Sequence, residues 1–153
     1  AYNYGARNKN RIMQTTWLSI GAAVTIMLVG LTIFHVFTKQ LLGIFDASED
    51  MLAIGIPALR IISLSFSFAG YGIVVGSVFQ ALGNGVYSLM VSVARQLVVI
   101  LPVAFVLARL GGLSAVWWAF PIAEIVSVTL STVLFRRIYC KKIQPLTKET
   151  VLV

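Results

Sequence analysis

Four apolar stretches, each long enough to cross a bilayer as a helix, organise this chain. Trp17 to Phe37 carries no charge, and its apolar character starts near Ile12. Ile61 to Leu82 is also free of charge and extends upstream through Pro57 and Arg60. Val86 to Ala108 is interrupted only by Arg95, and Leu113 to Phe135 only by Glu124. A hydrocarbon core about 30 Å thick takes about 20 helical residues to cross. Strands of a membrane barrel alternate over about ten residues, whereas these runs are continuous and twice that length. The pattern predicts an all-α membrane protein of four antiparallel transmembrane helices, over about 12–38, 52–82, 86–108 and 113–136.

The connections agree. Lys39 to Asp50 reads as a short polar loop carrying Asp46, Glu49 and Asp50. Gln80-Ala81-Leu82-Gly83-Asn84-Gly85 has the Gly and Asn expected where a helix stops and turns, with Gln80 and Asn84 as its caps or as a gate at that end. Arg109-Leu110-Gly111-Gly112 reads as a tight turn. Residues 1–153 thus form a single transmembrane unit, closed by a basic tail over 137–153. The chain opens on Ala1-Tyr2-Asn3-Tyr4 without a methionine, which predicts the later part of a longer chain.

Composition narrows the class. The chain is 59% hydrophobic and 11% charged, with a mean hydropathy of +0.94; soluble domains carry roughly a quarter charged residues. A net charge of +7 would fit nucleic acid, but the basic residues flank the apolar runs instead of lining a soluble face. Arg7, Lys9 and Arg11 precede the first span, and Arg136, Arg137, Lys141, Lys142 and Lys148 follow the last. Only Lys39 and Arg109 lie on the other side, against three acids. The positive-inside rule then places both termini in the cytoplasm. Trp17 and Tyr139 suit the inner interface, and Phe34, Phe37, Trp117 and Trp118 the outer one.

Candidate chemistry is confined to a few polar positions inside the membrane. A charge at the bilayer centre costs roughly 2.5–3.5 kcal/mol, so each needs a partner or a purpose. Arg95 and Glu124 stand almost equally far from the turn at Leu110 and Gly111, within about 3 Å in depth. They are expected to pair, with support from Gln96 or Ser127. Such a pair either locks the hairpin or opens to exchange a proton or a cation. Arg60 can snorkel to the headgroups or meet a loop or substrate. His35, near the outer surface, is either packed or able to titrate near neutral pH. Ser65, Ala69, Gly72 and Gly76 lie on one helix face and admit either a neighbouring helix or a cavity. Pro102 and Pro121 fall at matching depth and are expected to kink both helices of the hairpin. No HExxH, P-loop, dinucleotide fingerprint or Cys/His cluster is present, and Cys140 is the single cysteine. No catalytic residue, metal site or cofactor is expected, and no nucleic-acid partner.

Three segments carry a family resemblance. Tyr2-Asn3-Tyr4-Gly5-Ala6 and the basic run after it resemble the segment before the ninth helix of the multidrug and toxic compound extrusion (MATE) family. Ala58-Leu59-Arg60-Ile61 through Phe79-Gln80-Ala81-Leu82-Gly83-Asn84-Gly85 resembles the tenth helix and its end, and Trp117 to Glu124 the last helix. The resemblance implies helices nine to twelve of a twelve-helix, two-lobe antiporter in the cell (inner) membrane, exporting small cationic organic compounds against proton or sodium flow. Its partners would be the bilayer and the N-terminal helices of the same transporter. Some members carry an acid within the tenth helix; Phe68-Ala69-Gly70 has none, which disfavours sodium. Two other functions remain compatible with the sequence: a flippase for lipids or lipid-linked oligosaccharides, and a four-helix membrane scaffold without transport.

Overall fold

The structure, a computed structural model, describes residues 1–147. After a short helical turn, α1 (Tyr2–Gly5), the first long helix is α2 (Lys9–Val36). It starts at Asn8, whose side-chain oxygen accepts from the Arg11 amide at 3.0 Å, satisfying one of the orphan donors of the first turn. The stretch read as a polar loop instead contains a short helix, α3 (Thr38–Gly43). Ser48 then caps α4 (Glu49–Ser63), with Glu49 and Asp50 at its positive end. Next come α5 (Phe66–Ala81) and α6 (Gly85–Val93), which runs through a π-helical stretch, Ala94–Ile100, into α7 (Leu101–Val116). Finally α8 (Ala119–Ile138) passes into a π turn, Tyr139–Ile143, and a 3-10 turn, Gln144–Thr147.

Lys9–Val36, Gly85–Val116 and Ala119–Leu146 are each long and apolar enough to cross a bilayer. The fourth crossing is the α4–α5 pair, bent by 50° at its junction. Together these form the four antiparallel transmembrane helices expected from the hydrophobic pattern.

The bend in the second span was expected nowhere. It falls at Leu64–Ser65, not at Pro57, which sits inside α4. Serine hydroxyls explain it: Ser63 Oγ donates to the Arg60 carbonyl at 2.9 Å and Ser65 Oγ to the Ile62 carbonyl at 2.6 Å. The Leu64 and Ser65 amides bond to carbonyls three residues back, at Ile61 and Ile62. Local hydroxyl–carbonyl bonds thus compete with the α-helical ladder and tighten one turn.

The two prolines are not placed alike. Pro121 lies in the first turn of α8, where its missing amide has no partner to lose. Pro102 lies just beyond the π stretch, in the first turn of α7. The hairpin instead reverses at Gly112, at φ 66° and ψ −160°, a region open essentially to glycine alone. The residues 113–116 that follow this reversal are already helical, and α8 begins at Ala119 after a break at Trp117–Trp118.

α5 is the central helix, packed against α2, α8 and α6. α2 packs tightly on α5 at Gly70, where a Cβ would stand 3.2 Å from the Ala23 backbone and the Met27 Cγ. The core gathers where α2 begins and where α5 and α8 end, around Ile12, Ile20, Val75, Phe79, Leu82, Leu134 and Ile138. Ile143 is fully buried there and Leu146 packs against the same core, so the start of the basic tail is packed structure. Lys148 and the rest of the tail lie outside the described residues.

Candidate functional site

A cavity of about 310 Å³ opens between α5, α6 and α8. Its floor is the glycine face of α5. A Cβ on Gly72 would lie 3.8 Å from Glu124 Oε1, and one on Gly76 would lie 3.4 Å from Ser88 Oγ. Two methyl-sized side chains here would take the space that separates α5 from the carboxylate and the serine. Ala69 completes this face.

Across the floor, Arg95 Nη1 donates to Glu124 Oε2 at 3.1 Å, the pairing expected from the hairpin register. The two side chains differ in burial: 7% of Glu124 is exposed against 38% of Arg95. A guanidinium does not give up its proton, so Arg95 keeps its charge. The arrangement is therefore a fixed cation held by a single carboxylate on the facing helix. The expected support is missing: among the described residues, neither Gln96 nor Ser127 hydrogen-bonds to the pair, although Ser127 lines the same cavity.

Gln80 does not cap its own helix. Its Nε2 donates to Ser88 Oγ at 3.1 Å, bridging α5 and α6 along the cavity. Asn84 does supply a cap, donating from Nδ2 to the Leu82 carbonyl at 3.1 Å. The structure leaves three expected residues outside the cavity. Ser65 is engaged at the bend, Arg60 is exposed on α4, and His35 Nδ1 lies 3.1 Å from the buried Ser63 Oγ.

Three features escaped the sequence reading. Lys142 Nζ donates to the Leu82 carbonyl at 2.8 Å, a second partner for the end of α5. Tyr71 and Thr132 share a hydrogen bond of 2.9 Å between α5 and α8. Ser131, 1% exposed, has no hydrogen-bond partner for its hydroxyl among the described residues. The signal for Ser131 was present, because Glu124, Ser127 and Ser131 recur at helical spacing on one face of α8. No group of three or more potential metal ligands occurs among the described residues.

Residues 1–106 match the profile of the MatE family. The chain belongs to the MatE family. The multidrug export protein MepA of Staphylococcus haemolyticus is 30% identical over 131 residues, covering 86% of this chain and 28% of that protein. The probable multidrug resistance protein YoeA of Bacillus subtilis is 27% identical over 144 residues, covering 93% of this chain and 31% of YoeA. The fold matches a solved inward-facing multidrug resistance MATE family transporter of the MOP superfamily with a TM-score of 0.84, at 24% identity, over 96% of this chain and 34% of that one. The chain spans under a third of the length of these two curated MatE relatives. It is a multi-pass membrane protein, and its relatives carry the names of multidrug export and multidrug resistance proteins.

Proposed function

We propose that these helices are the ninth to twelfth of a twelve-helix, two-lobe exporter that expels cationic amphipathic compounds against an inward flow of protons. In this reading the protein lies in the cell (inner) membrane with both ends of the chain in the cytoplasm. The excess of Lys and Arg at the end where α2 starts and α8 finishes supports that orientation. The names of MepA and YoeA support the drug-export reading, and the share of each that the chain covers fits four helices of about twelve.

The observation that carries the mechanism is the Arg95–Glu124 pair above the glycine floor. Protonation of Glu124 removes the charge that holds Arg95 and frees the guanidinium to move; deprotonation restores the pair. That cycle links a proton to a change of contact between α6–α7 and α8. A sodium ion would find one carboxylate, already paired, and no acid on α5. A flippase cavity would need several cations for phosphate-bearing groups, whereas this cavity has Arg95 alone, held by Glu124.

Glu124→Gln in the full-length protein tests the reading. Proton-driven export of a cationic dye should fall at least tenfold while abundance in the membrane is kept. Export at the normal rate with normal abundance would sink it.

A further inference from the structure

A second and larger opening, about 530 Å³, lies away from the ion pair, between α2 and α8. Its walls are Met13, Trp17 and Ile20 on α2 and Phe135 on α8. Trp17 is 60% exposed, so among the described residues the groove is open along its side. From Met13 to Ile20, and again from Thr132 to Tyr139, it runs about 10 Å along each helix, which is most of one leaflet of a core about 30 Å thick. At the inner end the Tyr71 and Thr132 hydroxyls satisfy each other, so this end is left apolar in character.

The outer end is different. Arg136 lines the mouth, is exposed, and has no carboxylate partner among the described residues. Lys9 Nζ stands 5.7 Å from the centre of the Tyr139 ring, which also lines the mouth, and adds a second cation. Among the described residues no acid lies at this end: Asp46, Glu49 and Asp50 sit beyond the opposite end of α2, and Glu124 is within the bilayer. The mouth therefore repels cationic compounds and attracts anions, while the walls accept hydrocarbon.

We propose that this groove holds one anionic phospholipid, its phosphate on Arg136 and one acyl chain against Met13, Trp17, Ile20 and Phe135. Basic pockets between transmembrane helices at a membrane surface are the kind of site that retains such headgroups. The occupant ties α2 to α8 at the basic end. The inference is independent of what the protein exports.

Cys140 gives a test in the unaltered full-length protein, because it is exposed and lines the groove. Its alkylation by a maleimide is followed by peptide mass mapping in detergent, with added phosphatidylglycerol, phosphatidylcholine or inorganic phosphate. Phosphatidylglycerol should slow labelling at least fivefold; the other two should not. Equal protection by both lipids, or protection by inorganic phosphate alone, would overturn the proposal. Native mass spectrometry then separates the role of Arg136 from general basicity. Arg136→Gln should lose retained phosphatidylglycerol at least fivefold, while Arg137→Gln, on the next residue, keeps it. Equal loss in both variants would mean a diffuse surface charge and no site.

Discussion

At the scale of single residues, the Arg95–Glu124 pair is asymmetric, and the asymmetry has a measurable sign. Arg95→Leu strands a carboxylate that is 7% exposed, whereas Glu124→Gln leaves an acceptor for a guanidinium that is 38% exposed. Removing one member of a buried pair costs about 3–5 kcal/mol, and the partial exposure of Arg95 places this loss near the lower end. Replacing a charged hydrogen bond by a neutral one costs about 1 kcal/mol. Thermal unfolding in detergent should therefore rank Arg95→Leu well below Glu124→Gln. The double variant Arg95→Leu/Glu124→Leu should recover most of the loss, since apolar replacement of a whole pair is often neutral. The pairing itself was legible, because hairpin register follows from counting away from a turn. What the sequence hid is which glycines do what. Gly72 and Gly76 form the recognisable small-residue repeat, yet they floor a cavity. Gly70, outside that repeat, is where a side chain would meet the α2 backbone. Spacing puts residues on a face but does not say what faces them.

At the scale of elements, the four spans were legible because a bilayer demands length and continuity, and both can be counted. Their irregularities were not. The bend at Leu64–Ser65 depends on which carbonyls the Ser63 and Ser65 hydroxyls choose, and serine elsewhere in a helix need not bend it. The π stretch is hidden because every residue from Leu97 to Leu101 is apolar. It shows in burial: the inward face steps from Arg95 to Val99 and Ile100, passing over Val98, which is 65% exposed. The wide turn thus holds one residue more than an α-helical turn would. Deleting Val98 should rewind it and keep Arg95 and Val103 on their present sides. Deleting Val106, in regular helix, should turn everything after it by about 100°. Expression and monodisperse elution should survive the first deletion and not the second.

At the scale of the whole molecule, orientation rests on charge asymmetry, and accessibility checks it. In intact cells a membrane-impermeant maleimide should leave Cys140 unlabelled and should label it in inverted vesicles. A Phe45→Cys variant on a Cys140→Ser background should behave in the opposite way, because Phe45 is exposed beyond α3, at the far end of α2. Labelling of both from one side would overturn the antiparallel arrangement or its proposed direction. The location of the core at the basic end was not legible either. It depends on Ile138 and Ile143, which sit among positive charges and read from the sequence as tail.

The contact between Lys142 and the Leu82 carbonyl joins residues sixty positions apart, and this distance is also an interval of time. During synthesis at about 5–20 residues per second, the end of α5 leaves the ribosome several seconds before the lysine that will cover it. Until then Asn84 is the side chain at hand for that carbonyl. The second span therefore enters the membrane with its end half covered and is closed from behind, by a part of the chain that arrives later.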